Sequence, residues 1–185
     1  MERNEALELL LDYVKNPKMI AHCKASEAVL RAMAERLDED PDKWGLAGLL
    51  HDLDVEMTNA DMKLHAMETA RILKEKGIED DIVEAVMLHN EYAAHGRERS
   101  TKFHYALAAG ETITGLIAAT ALVYPDKKVE SVKPKSILKR MKEKAFAASV
   151  KRENILECQK AGIPLNEFVE MALNAMKELE KESQG

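Results

Sequence analysis

Apolar residues recur at helical spacing almost from the start of the chain. Ala6, Leu7, Leu10, Leu11 and Val14 share one face, and Asn16-Pro17 closes that run. Asn16 can cap, and Pro17 can open, a second helix with its stripe at Met19, Ile20, Cys23, Ala28, Val29, Ala32, Met33 and Leu37. His22 lies on the edge of that stripe. Asp40-Pro41 repeats the pair of cap and proline and predicts a third helix over 41–51. Residues 52–61 carry five carboxyl or amide side chains and little apolar matter, which predicts a loop. A fourth helix is predicted over 62–76, stopped by Gly77, with His65 in its first turn. In that position the helix dipole disfavours a protonated ring. Asp80 opens a fifth helix, with Ile82, Val83, Val86 and Met87 facing inward and His89 at its end on the same face. A polar loop follows over 93–100.

Residues 103–124 are the most apolar stretch, as long as the roughly 20 residues that a membrane span needs. Glu111, Thr112, Thr114 and Thr120 interrupt it, and no second such stretch exists. It therefore reads as a central helix buried on most sides. Glu111, Thr114, Gly115 and Ala118 form its polar or small face, and His104 lies one heptad before Glu111. A carboxylate in such a helix must be protonated, paired or bound to a cation. Three further helices are predicted over 134–147, 152–161 and 165–182. The fold class is all-α, a bundle of roughly seven to nine helices. One domain over 1–185 is expected, with a core at about 17–124 and a C-terminal helical extension at about 125–185.

Composition agrees with this pattern. The chain is 46% apolar and 32% charged, an ordinary globular mix, with only 4% aromatic residues but 10 methionines. The net charge of −6 makes nucleic acid an improbable partner. One stretch departs from it. Residues 127–152 hold ten basic side chains against Glu130 and Glu143. Such a run is most often a solvated helix face; its sharper reading is an electropositive wall in which Lys135, Lys139 and Lys142 meet an anionic substrate. Cys23 and Cys158 form no spaced motif, and the first residues have no apolar signal core. Both features fit a cytoplasmic protein.

The chemistry concentrates at Leu49-Leu50-His51-Asp52-Leu53-Asp54. On a regular helix a neighbouring imidazole and carboxylate diverge. Where a helix is ending they can converge on one ion. By itself the dipeptide is more often a plain helix terminus. What changes the balance is the order His22, His51-Asp52, His65, His89, Glu111, each from a different predicted element.

That order resembles the HD-domain superfamily of metal-dependent phosphohydrolases, whose signature is H…HD…D. Members holding two metals add two histidines before the last carboxylate, and His65 and His89 match them. The stretches 48–54, 89–92 and 114–147 are similar to small bacterial and archaeal HD proteins of unassigned substrate. The match at the last ligand is Ala109-Gly110-Glu111-Thr112-Ile113-Thr114-Gly115-Leu116-Ile117, so Glu stands where the family has Asp. The room left by Gly110 is expected to help the longer side chain reach an ion, directly or through a water.

The resemblance implies that His22, His51, Asp52 and Glu111 hold one divalent metal. Asp52 would bridge to a second, held by His65 and His89, and so take part in catalysis. Imidazole-rich sites suit Fe, Mn, Co, Ni or Zn better than Mg alone. Asp54, Glu56 and Asp61 are candidates for orienting the imidazoles, and His104 or His95 for protonating a leaving group. The expected activity is hydrolysis of a small phosphorylated metabolite, such as a nucleotide, in a protein that is not membrane-bound and is free to self-associate. The alternatives are a di-iron HD-type oxygenase and a non-catalytic domain that binds a nucleotide or a partner.

Overall fold

The computed structural model describes residues 1–183 and is all-helical over them. Its helices are α1 (Arg3–Tyr13), α2 (Pro17–Arg36), α3 (Pro41–Leu50), α4 (Met67–Glu75), α5 (Asp80–His89), α6 (Lys102–Ala121), α7 (Pro134–Lys142), α8 (Arg152–Leu156), α9 (Cys158–Ala161) and α10 (Leu165–Glu182). A short 3-10 turn, Val129–Ser131, precedes α7.

The caps form where the sequence places them. The Asn16 side chain accepts a hydrogen bond from the Lys18 amide at 2.9 Å, and Asp40 accepts from Asp42 and Lys43 at 2.9 and 3.1 Å. Each satisfies amides that the first helical turn leaves without partners. Helix α6 is the central element. Leu107, Ile113 and Leu116 are fully buried in it, and α2, α3, α5, α8, α9 and α10 pack around it. Cys23 and Cys158 are buried and unpaired. No helix among the described residues is long and apolar enough to cross a membrane.

Two glycines set how closely the helices approach. A Cβ at Gly48 would lie 2.7 Å from the Ser26 carbonyl oxygen and 2.9 Å from the Glu27 amide nitrogen. Backbone cannot yield as a flexible side chain can, so α3 rests on α2 only because residue 48 lacks a side chain. Gly48→Ala is expected to cost about 1–3 kcal/mol, the usual range for overpacking. In a chain of this size that lowers the melting temperature by several degrees, which thermal unfolding measures. Gly110 serves the same purpose on α6: a Cβ there would lie 2.4 Å from Leu30 Cδ2. Gly110 therefore faces α2 and does not make room for Glu111.

The structure corrects three boundaries. The fourth helix begins at Met67, not at 62; residues 51–66 form successive tight turns. Ala66 takes φ 76°, a left-handed conformation that no helix can run through. His65 consequently precedes α4. Helix α7 ends at Lys142, not at 147, because the buried Arg152 guanidinium gathers the carbonyls beyond it. It donates to Ala147 and Val150 at 2.8 Å, to Arg140 and Glu143 at 3.1 Å, and to Phe146. The expected helix over 152–161 is divided into α8 and α9 at Glu157.

Candidate metal centre

Four imidazoles and one carboxylate meet where α2, α3, α5 and the 51–66 turns come together. Helix α3 stops at Leu50, so the His51 backbone is its C-cap and Asp52 follows outside the helix. The pair thereby turns inward together. His22 reaches the same point from α2 and His89 from the last position of α5. His22 Nε2 lies 3.1 Å from His51 Nε2, and His65 Nε2 lies 3.1 Å from His89 Nε2. Asp52 sits between these pairs. Its Oδ1 is 3.4, 3.2 and 3.5 Å from Nε2 of His51, His65 and His89, and its Oδ2 is 3.5 Å from His22 Nε2. Two clusters that can hold a metal ion result, His22–His51–Asp52 and Asp52–His65–His89, with Asp52 common to both.

The other ring nitrogen of each histidine is tied to the protein. His51 Nδ1 donates to the Gly48 carbonyl at 2.8 Å and His89 Nδ1 to the Val86 carbonyl at 2.6 Å. His65 Nδ1 donates to Asp54 Oδ1 at 2.7 Å. His22 Nδ1 donates to Thr114 Oγ1 at 2.8 Å, because that hydroxyl spends its own proton on the Glu111 carbonyl. In the neutral tautomer all four rings then present an Nε2 lone pair to Asp52. Lone pairs 3.1 Å apart repel unless something positive lies between them. Ligand atoms about 2.1 Å from one shared ion are themselves about 3.0–3.4 Å apart. The spacing and the donor set both fit a divalent metal ion.

Electrostatics agree. Burial pushes the His51 ring down to about 3, with His22 and His89 adding to the effect, so the ring is neutral. Burial pushes the Asp52 carboxyl up, but the surrounding imidazoles outweigh it and hold the group well below its ordinary value. Burial also opposes a charge on His65, yet Asp52 and Asp54 raise its pKa to about 10. Without an ion, His65 keeps a proton against Asp52; a cation takes that proton's place.

Glu111 approaches from α6 with Oε2 3.7 Å from His22 Nε2, while Oε1 accepts from the Thr112 hydroxyl. Burial raises its pKa, against the pull of His89 and His22. It is at the edge of the cluster and touches only one of the four histidines.

Other sequence candidates lie elsewhere. His104 is not in this cleft. It borders a separate hollow with Trp44, Phe103 and Glu84, its Nε2 3.6 Å from Glu84 Oε2. Seven helical residues return to nearly the same angle but advance about 10 Å along the axis, which carries His104 past the cluster. His95 binds the Asn90 carbonyl and borders a charged surface hollow. Lys135, Lys139 and Lys142 are exposed, and none of them lines the cleft. Helix α7 turns Ile137 inward against the core, which leaves these lysines on its outer side. Glu56 is spent on the Lys15 and Asn16 amides and Asp61 on the Lys63 amide. Of the three proposed orienting carboxylates, only Asp54 touches an imidazole of the cluster.

The cleft, about 310 Å³, has walls that sequence reading passed over. Asn90 donates to the carbonyls of Met62 and His65 at 2.7 and 2.9 Å and fastens the turns to the end of α5. Lys151 enters the cleft, pairs with Glu91 and stands 4.8 Å over the Tyr92 ring. Arg99 links Glu91 at 3.2 Å and the His89 carbonyl at 3.3 Å to Glu157 and Asn154. The juxtaposed His89-Asn90-Glu91-Tyr92 was the one available signal for this wall. Nothing in the basic run distinguished Lys151 from its nine neighbours.

The family model for the HD domain matches residues 19–121, more than half of the chain, and spans all six residues from His22 to Glu111. No solved structure matches the chain.

Proposed function

The chain belongs to the HD-domain family, and from that premise we propose that it is a metal-dependent phosphohydrolase acting on a small phosphorylated metabolite. One observation carries the reading. Four imidazoles are locked through Nδ1 and turn Nε2 onto a shared carboxylate. In this proposal His22, His51, Asp52 and Glu111 hold one ion, and Asp52, His65 and His89 hold a second. Such ions lower the pKa of water toward neutrality and offset phosphate charge. The chain's own part is to fix the rings, to keep His51 neutral and to direct the phosphate.

Lys151 is the cation placed for that last task. An arriving phosphate competes with Glu91 for it. Lys151→Met is expected to raise KM about tenfold, the scale of one charge-assisted hydrogen bond, with kcat changed less than about threefold. Steady-state kinetics on the best substrate would show this, and an unchanged KM would leave Lys151 as a structural partner of Glu91.

Glu111 gives a second check. Glu111→Asp should keep the metal. Glu111→Leu should weaken metal binding about 10–100-fold and raise the melting temperature of the metal-free protein, because it removes a half-buried carboxylate lacking its cation. Equal metal content in Glu111→Leu would take Glu111 out of the site.

The function itself is tested by metal analysis of the purified protein. A screen for phosphate release follows, over nucleotides, sugar phosphates and dinucleoside polyphosphates, with and without chelator. Phosphate release that chelator abolishes is the expected result. Bound iron with O₂ consumption and no phosphate release would replace it with the oxygenase reading. Nucleotide binding without turnover would replace it with a binding domain.

A further inference from the structure

A second cavity adjoins the metal cleft. It is an apolar groove of about 770 Å³ between α2, α6 and α10, within the ~300–1,000 Å³ typical of small-molecule sites. Ile20, Ala118, Leu122, Met176 and Leu179 line it, and Leu122 is 65% exposed there. His22 and Gly115 line both the groove and the metal cleft, so the two spaces meet at a residue of the metal cluster.

The charges at the groove have one sign left over. Its single acid, Glu180, is tied down at both oxygens by the Val129 and Glu130 amides, at 3.2 and 2.9 Å. Its lysines, Lys18, Lys24 and Lys127, have no carboxylate partner among the described residues; the lysine ion pairs there belong to Lys43, Lys102, Lys139, Lys151 and Lys181. Apolar walls with unpaired cations suit an anion that carries a long apolar chain.

Resting on the phosphohydrolase reading, we propose that the substrate is an anionic single-chain amphiphile, a phosphate monoester of a long-chain alcohol. Its phosphate lies in the metal cleft and its chain passes His22 and Gly115 into the groove. In hydrolysis, water supplies the new oxygen of inorganic phosphate, the bond between phosphorus and the alcohol oxygen breaks, and a proton leaves with the alcohol.

The test uses the metal-loaded protein and ethyl, hexyl and dodecyl phosphate, each below its micelle concentration. The ratio kcat/KM is expected to rise with chain length, by up to about fourfold per buried methylene. Dansyl-undecanoic acid fluorescence gives a readout without catalysis. The probe should bind the metal-free protein and be displaced by dodecyl phosphate. Ala118 is exposed and holds no ligand position. Ala118→Trp should cut probe affinity about tenfold or more by filling the space, and should lower kcat/KM for dodecyl phosphate far more than for ethyl phosphate. Lys18→Glu with Lys24→Glu should weaken probe binding as well. A flat chain-length series would overturn the proposal, as would equal probe affinity in Ala118→Trp, or binding to anionic vesicles with none to the monomeric probe. The two readings fail separately. Probe binding blocked by Ala118→Trp, with no phosphate released from any ester, supports the groove and ends the phosphohydrolase reading. Ethyl phosphate hydrolysis without chain dependence or probe binding does the reverse.

Discussion

Asp52→Asn is expected to strip the cleft of metal and to lower turnover by about a thousandfold or more, a loss of roughly 4 kcal/mol in transition-state stabilisation. The carboxylate offers Oδ1 to three imidazoles and Oδ2 to the fourth, all within 3.5 Å. An amide keeps the shape but supplies one neutral oxygen. Its NH₂ then points at an Nε2 lone pair and donates a hydrogen bond where an ion would be held. Both clusters share this residue, so both should fail together. Metal content and phosphate release are the measurements, with circular dichroism to show that the helices persist. Full metal content in Asp52→Asn would remove Asp52 as the shared ligand and leave two separate histidine pairs.

Asp54 should matter almost as much, though it points away from the metal position. It is fully buried. Its carboxylate accepts from His65 Nδ1 at 2.7 Å and from the Thr69 amide at 2.9 Å, and its own amide donates to Thr69 Oγ1 at 3.0 Å. It orients one imidazole and also fastens the 51–66 turns to the start of α4. Asp54→Ala leaves two buried donors without partners and is expected to cost about 3–5 kcal/mol, as when a buried ion pair loses one member. Asp54→Asn separates the two roles. One amide oxygen satisfies one donor, and the NH₂ faces the other. The fold should survive, with metal affinity about 10–100-fold weaker. Thermal unfolding and a metal titration distinguish these outcomes. A stable Asp54→Asn protein with undiminished affinity would show that His65 does not depend on this partner.

The legible parts of the site were those anchored by local rules. Asp40-Pro41 fixed the start of α3, and its apolar run carried His51 to the end where the chain turns. The inward stripe of α5 placed His89 in the same way. Less was legible where long-range contacts decide the backbone. No local signal announced that Ala66 would adopt a left-handed conformation, and with it went the expected helical position of His65. His65 is held by Asp54 rather than by a helix dipole. Heptad spacing put His104 beside Glu111 by angle alone and ignored the distance along the axis. Ile137 turns to the core and leaves the lysines of α7 on its outer side, and the helix expected to continue to 147 stops at Lys142. The turn that replaces its last part is made by Arg152, ten residues beyond Lys142, and that same turn brings Lys151 into the cleft.

Arg152 has a consequence for how ligands come and go. Five carbonyls from Arg140 to Val150 converge on its guanidinium. Loosening this segment forfeits hydrogen bonds to a buried guanidinium, which favours holding the wall in one shape. Ser149, Val150 and Lys151 thus present a fixed outline to whatever enters. On the proposed phosphohydrolase reading, this side of the cleft would act as a rigid gauge of what enters, and product would leave through the open mouth without the wall moving.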